Sequence, residues 1–160
     1  MKLIYTASQV REAEKPYIEA ADYDGYLMQR AADAVAAEAQ ELLHGKDTAK
    51  ILLLIGPGNN GADTIYAGAR LSAKGHRVDA VIFDSSEKNL ELIAREGGEG
   101  TRVLDPEHTH EQLAGYDLTI DGILGTGSSG AVRGSAGEYL GVLRAAQLDG
   151  KLGAVLAVDT

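Results

Sequence analysis

The chain has 160 residues, a net charge of −9 and an apolar fraction of 44%, which predicts one folded domain and argues against a disordered chain. Its acidic residues are spread along the sequence, so it offers no basic patch for nucleic acid or for an anionic membrane surface. Cysteine is absent, which excludes disulfides and a thiolate nucleophile and fits a reducing compartment.

The N-terminal segment, MKLIYTASQVREAEK, becomes charged too soon for a secretory signal peptide. No apolar run in the sequence approaches the length needed to cross a bilayer. We therefore expect a cytoplasmic protein that has no membrane partner.

Two helices are predicted before residue 50. The first begins at Thr6, which has capping-box spacing to Gln9. We expect it to kink or end near Pro16, because proline is costly deep inside a helix. The second covers roughly residues 26–43, where apolar residues recur at intervals of four from Leu27 to Leu43.

From residue 50 onward, short apolar runs alternate with helical patterns. The predicted strands cover 51–55, 77–83, 101–104, 118–120 and 154–158, and the predicted helices cover the segment ending at 75, then 89–95, 107–114 and 138–146. Alternation of this kind implies right-handed crossovers and a mainly parallel sheet with helices on both faces. The pattern predicts an α/β fold preceded by N-terminal helices.

The last predicted strand stands directly before the end of the sequence. Thr160 comes two residues after the last apolar residue of that strand, before any loop or covering helix. We therefore expect residues 1–160 to form a single domain that is truncated at its C-terminus.

An unusual glycine- and asparagine-rich stretch, Ile55–Thr64 (IGPGNNGADT), follows the first of these strands. Its three glycines permit a tight turn, and the N–H groups at the start of the next helix favour a phosphate group. Asn59 and Asn60 add amide groups, and Asp63 is expected in the first helical turn, where it would favour the helix dipole.

Two other interpretations of this stretch remain open. A plain strand-to-helix turn would explain the glycines and Asp63 but not the pair of asparagines. Gly56–Gly61 also matches the dinucleotide fingerprint G-x-G-x-x-G, but Asp84 is the only candidate for the acid that should follow it. That match alone is weak evidence.

Two further strand ends carry polar residues. Asp121 follows the fourth strand and leads into the glycine-rich loop 125–130, with Arg133 available for a phosphate group. Asp159 ends the last strand, where burial would suit it to acid–base work. A mobile glycine loop and a solvated strand end are the alternatives. Since the carboxyl ends of parallel strands share one edge, we expect a single site, with Asp121 beside Asn60 in an oxygen-rich cation pocket.

Four blocks of the sequence resemble the YjeF N-terminal domain family, whose enzymatic members are NAD(P)H-hydrate epimerases. The blocks are SQVREAEK with LMQRAA, GPGNNGAD, DGILGTGSSGAVRG and AVDT, in that order from about residue 5 to the end. The resemblance implies a three-layer α/β/α Rossmann-like fold. It also implies interconversion of the R and S forms of NADHX and NADPHX, the hydrated nicotinamide cofactors, ahead of a dehydratase specific for the S form.

The resemblance further implies roles for individual residues. It assigns a potassium ion to Asn60 and Asp121, and substrate binding to Asp159, which we also expect to be the catalytic acid and base. Asp63 is expected to hold the geometry of its loop. The full set of implied substrate-binding residues is Asn59, Asn60, Gly61, Ala62, Asp63, Gly125, Thr126, Gly127, Ser128, Ser129, Gly130, Ala131 and Asp159.

The sequence departs from the family pattern in two places. Ala62 stands where the family has a second glycine, and we expect its methyl group either to narrow the space for the substrate or to shift the turn. The P-S/T-G that follows the family's last aspartate is absent, and with it the hydroxyl group that completes the potassium site.

Three classes of function are therefore compared: an epimerase, a non-catalytic scaffold of the same family that binds a nucleotide-like ligand or a protein, and an NAD(P)-dependent dehydrogenase. Asp63, Asp121 and Asp159 favour the epimerase, and the negative charge disfavours an RNA scaffold. The resemblance also implies an NAD(P)H-hydrate dehydratase as a functional partner, fused to this domain in many bacterial members. It leaves a homodimer open.

Overall fold

The computed structural model describes residues 5–83, 87–98, 100–125 and 130–158. The helices are α1 Ala7–Ile18, α2 Tyr26–Leu42, α3 Asn59–Ala73, α4 Glu87–Glu96, α5 Pro106–Thr109 and α6 Gly134–Leu148. The strands are β1 Lys50–Ile55, β2 Arg77–Ile82, β3 Arg102–Val103, β4 Leu118–Gly122 and β5 Ala154–Ala157, and a 3-10 helix covers His110–Gly115. The sequence therefore predicted these strands and helices to within a few residues, except that the single helix predicted over 107–114 is divided into α5 and the 3-10 helix.

The start of α1 confirms the predicted capping box. The backbone N–H of Gln9 donates to Thr6 Oγ1 at 3.3 Å, and the N–H of Thr6 donates to Gln9 Oε1 at 2.8 Å. Pro16 lies inside the helix, which ends two residues later at Ile18. The prediction that the helix ends near Pro16 is thus confirmed.

The five strands form one parallel sheet in the order β3-β2-β1-β4-β5. From β1 the chain moves outward to β2 and β3, and then returns to the other side of β1 to form β4 and β5. The carboxyl ends of β1 and β4 therefore flank the point where the strand order reverses. In open α/β sheets this reversal creates the crevice in which ligands bind.

Helices cover both faces of the sheet, as the alternating pattern predicted. One face carries Ile51, Leu53 and Ile55 of β1, which pack with residues of α2, α3 and α4. The other face carries Leu52 and Leu54, which pack with residues of the 3-10 helix and α6. Both faces of β1 are therefore buried, which explains its continuous apolar sequence.

Two element boundaries differ from the prediction and affect the site. Helix α3 begins at Asn59 and has no acidic residue in its first turn, so the prediction that Asp63 lies in that turn was wrong. The asparagines themselves form the first turn, and Asp63 follows as the fifth helical residue. Strand β4 continues to Gly122, so Asp121 lies within the strand, one residue before its end.

The structure also bears on membrane association. Within the described residues, no helix combines the length and apolar character that a bilayer span requires.

Candidate functional site

The loop between β1 and α3 is held tightly against β4. The N–H of Gly56 donates to the carbonyl oxygen of Gly122 at 3.2 Å. A Cβ atom at Gly56 would lie only 1.9 Å from the carbonyl oxygen of Ile123, so no other residue fits there without movement of the backbone. The close approach of these two main chains fixes where α3 begins.

Glycines also permit close packing of the main chain at the start of α3. A Cβ atom at Gly61 would lie 2.0 Å from the carbonyl oxygen of Gly56. One at Gly122 would lie 2.0 Å from Thr64 Oγ1, which donates to the carbonyl oxygen of Asn60 at 2.7 Å. The first turn of α3 therefore sits directly over the ends of β1 and β4. The N–H groups at a helix N-terminus have no acceptor within the helix, so this position favours anionic groups.

Asn60 joins the ends of three strands. Its side chain is 9% exposed, and Nδ2 donates to the carbonyl oxygens of Leu124, at 3.1 Å, and Val158, at 2.8 Å. Because both partners are carbonyl oxygens, which only accept hydrogen bonds, the amide atom that faces them is the nitrogen. The other amide atom, Oδ1, is therefore the oxygen. The bonds link α3, which follows β1, to the residues that follow β4 and β5.

Asp121 contributes a half-buried carboxylate at the same edge. Its Oδ1 accepts from the N–H of Ile123 at 3.0 Å. Burial raises the pKa of the carboxyl, and this hydrogen bond opposes the shift. Among the residues that the structure describes, no lysine, arginine or histidine forms an ion pair with it.

The donor atoms at this edge fit a hard monovalent cation. An amide oxygen, a carboxylate without a cationic partner in the described residues and nearby main-chain carbonyls make up an all-oxygen set. The same part of the chain contains no group of three or more His, Cys, Asp or Glu side chains that could hold a metal ion. A cation here would therefore depend on neutral oxygen ligands together with Asp121.

The remaining predicted site residues differ in how far they are buried. Asn59 is exposed and Asp63 is half-buried, both on α3. Gly125 packs against Asn60, because a Cβ atom there would lie 2.5 Å from Asn60 Oδ1. Gly130 has a left-handed backbone, with φ of 88°, and Ala131 is exposed. The predictions for Asp84, Thr126, Gly127, Ser128, Ser129 and Asp159 lie outside the described residues.

Residues 25–160 match the family model described as YjeF-related protein N-terminus. The chain belongs to this family. In this YjeF-related domain the motif residues Asn60 and Asp121 lie at one edge of the sheet, Asn60 in the helix that follows β1 and Asp121 near the end of the neighbouring strand β4.

Curated relatives of this YjeF-related domain include longer proteins. A bifunctional NAD(P)H-hydrate repair enzyme Nnr from Corynebacterium glutamicum is 35% identical over 137 residues, which cover 82% of this chain and 23% of that protein. An NAD(P)H-hydrate epimerase from Microbacterium testaceum is 35% identical over 134 residues, which cover 82% of this chain and 50% of that protein. The chain thus spans about a quarter to a half of the length of these relatives.

A solved structure supports the fold. The crystal structure of yeast ynu0 (YNL200c) matches with a TM-score of 0.72 and 17% identity, over 99% of this chain and 70% of that one. At this level of identity the likeness concerns the fold alone. It confirms the predicted α/β architecture of the YjeF-related domain.

Sequence reasoning missed one polar residue beside the site, Asn89 on α4. Its side chain is 1% exposed, and Nδ2 donates to the carbonyl oxygen of Gly56 at 2.6 Å. A signal was present in the sequence. Asn89, Leu92 and Ile93 are spaced i, i+3, i+4 and are all buried, so an asparagine occupies a position on the apolar stripe of its helix.

Proposed function

We propose that the protein is an NAD(P)H-hydrate epimerase that interconverts the R and S forms of NADHX and NADPHX. The observation that carries the proposal is the bridge made by Asn60, which brings the ends of three strands together at the topological switch point. The names of relatives in Corynebacterium glutamicum and Microbacterium testaceum support the same activity. We place the activity in the cytoplasm.

Substrate binding is assigned to the β1–α3 loop and to the loop after β4. The N–H groups at the start of α3 favour the negatively charged phosphates of a dinucleotide. Residues 59–63 and 125–131, together with Asp159, are proposed to contact the substrate. The packing supports this assignment because it holds both loops at one edge of the sheet: Gly61 lies against the Gly56 carbonyl group and Gly125 lies against Asn60.

Potassium is the proposed cofactor, held by Asn60 Oδ1 and the Asp121 carboxylate. The ion would supply a positive charge beside an anionic dinucleotide. Because the Asn60 amide nitrogen is occupied by two carbonyl groups, its oxygen is oriented to serve as a ligand. Asp121, whose pKa is raised by burial, would be stabilised in its charged form by the cation.

Asp159 is the proposed acid and base. The residue before it, Val158, is fixed on two sides: its N–H donates to the carbonyl oxygen of Asp121 at 2.9 Å, and its carbonyl oxygen accepts from Asn60. Epimerisation needs a proton delivered and later removed, either through ring opening or through loss and re-addition of water. A single carboxyl group can perform both transfers, and both routes return the substrate's atoms unchanged in number.

The S form produced here is the substrate of a dehydratase, which we propose as the functional partner. The bifunctional names of relatives support a partner in the same polypeptide. We also propose that two copies of the chain form a homodimer.

A chirally resolved assay with purified NADPHX tests the activity. We expect the protein to bring separated R-NADPHX to equilibrium faster than the spontaneous reaction, and Asp159→Asn to slow this by roughly 10²- to 10⁴-fold. Asp149→Asn is a matched control, because Asp149 is exposed and pairs only with Lys151 among the described residues. A wild-type rate in Asp159→Asn would remove the catalytic assignment, and no acceleration by wild type would remove the function.

A further inference from the structure

Helix α4 places a buried amide behind the proposed substrate loop. Asn89 is 1% exposed, and it belongs to none of the sequence motifs that define the site. From its contacts we propose that Asn89 is a positioning residue, which sets the geometry of the β1–α3 loop for binding of the dinucleotide hydrate. This inference rests on the proposed function.

The contact that carries the inference is made to the loop's first residue. Asn89 Nδ2 donates to the carbonyl oxygen of Gly56 at 2.6 Å. The same nitrogen lies 3.0 Å from the point where a Cβ atom of Gly61 would be. Asn89 therefore contacts the loop at its beginning and also lies against the first turn of α3.

Gly56 is held from the opposite side by β4 and the residue after it. Its N–H donates to the carbonyl oxygen of Gly122, and its α-carbon lies against the main chain of Ile123. The N–H and C=O of this one residue are thus fixed by different elements, β4 and α4. Because these groups fix the two peptide planes on either side of Gly56, the direction in which the chain leaves β1 is determined.

The direction of the chain at Gly56 determines where the polar side chains of α3 stand. Helix α3 begins three residues later, at Asn59, and Gly61 packs directly on the Gly56 carbonyl group. A rotation of that carbonyl group would move the first turn of α3, and with it Asn59 and Asn60. Asn89 would therefore act on the substrate through the loop, without touching it.

The test replaces the donor while keeping the size of the side chain. Asn89→Asp substitutes an oxygen for Nδ2, so the Gly56 carbonyl group faces an acceptor in place of a donor. Asn89→Leu removes the donor without adding charge, and serves if the aspartate variant fails to fold. Tyr116→Phe is the matched control: it removes a buried hydrogen bond, from Tyr116 Oη to Asp79 Oδ2 at 2.9 Å, at the start of β4.

Two measurements are made on the full protein. Amide hydrogen exchange, followed by mass spectrometry, should show residues 56–63 exchanging roughly tenfold faster in the Asn89 variants and unchanged in Tyr116→Phe. In the NADPHX assay the KM of the Asn89 variants should rise roughly 10- to 100-fold, with a much smaller change in kcat.

The two measurements test the positioning role of Asn89 and the proposed function separately. Wild-type exchange of residues 56–63 in a folded Asn89 variant would overturn the positioning role, as would an unchanged KM beside an active wild type. If wild type fails to epimerise NADPHX, the proposed function falls. The exchange measurement then still decides whether Asn89 holds the loop.

Discussion

The side chain of Ala62 lies in the hydrophobic core. It is 3% exposed and belongs to the cluster that packs α3 on the sheet, together with Ile65 one turn later. This burial argues against the first of the two effects expected of Ala62, a methyl group that narrows the substrate space. Position 62 points inward because α3 begins at Asn59, which sets the phase of the helix.

Replacing Ala62 with glycine should therefore reduce stability without improving activity. We expect Ala62→Gly to lower the free energy of unfolding by roughly 1–2 kcal/mol, since glycine costs about 1 kcal/mol inside a helix and a buried methyl group is lost. Urea denaturation measures the change, and Ala69→Gly on the same helix controls for helix propensity. A several-fold fall in the KM for NADPHX would show instead that the methyl group obstructs the substrate.

At the scale of elements, the apolar patterns predicted where strands and helices lie but not where the important ones begin and end. Helix α3 begins at Asn59, and Asn60 in its first turn bonds to Leu124 and Val158, residues far away in the sequence. Strand β4 extends past Ile120 because it pairs with β1 as far as Gly122. Local periodicity contains no information on such contacts, and the same is true of the bond from Asn89 to Gly56.

The junction between α3 and β2 depends on a buried histidine. His76 is 7% exposed, and its Nδ1 accepts from the backbone N–H of Ala49 at 3.1 Å. Burial, with a smaller contribution from Lys74, lowers the pKa of His76 below its ordinary value of 6.5. The native state thus holds the neutral imidazole, while the unfolded chain takes up a proton more readily.

Acidification should therefore weaken the fold at this junction. The stability that neutral His76 provides is complete above about pH 6.5, and it is lost as the pH falls toward the lower native pKa, by at most about 1.4 kcal/mol per pH unit. We expect His76→Asn, whose amide oxygen can accept from Ala49, to flatten this part of the pH profile in urea denaturation between pH 7.5 and 5.5.

The same substitution at His44 is the control for the loss of an imidazole. His44 is exposed and has a left-handed backbone with φ of 51°, a conformation that asparagine tolerates. In His44→Asn the free energy of unfolding should change with pH as it does in wild type. If His76→Asn also shows the wild-type pH dependence, the role assigned to His76 is contradicted.

At the scale of the whole molecule, the chain carries a net charge of −9, yet its proposed ligand is an anionic dinucleotide. The fold offsets part of the expected repulsion between protein and ligand, because the start of α3 and main-chain groups lie together at one edge of the sheet. It also places there the Asp121 carboxylate, which has no ion-pair partner in the described part of the chain. A bound cation would balance this charge where the substrate is expected.

This argument predicts that potassium stabilises the protein through Asp121. Because an ion that binds only the native state shifts unfolding by mass action, potassium at ten times its dissociation constant should add about 1.4 kcal/mol. Thermal unfolding in potassium chloride should therefore occur at a higher temperature than in choline chloride of equal ionic strength. The difference should disappear in Asp121→Asn and persist in Asp149→Asn, which alters an exposed ion pair. Equal unfolding temperatures of wild type in the two salts would exclude a potassium site, and a difference that survives Asp121→Asn would place the ion elsewhere.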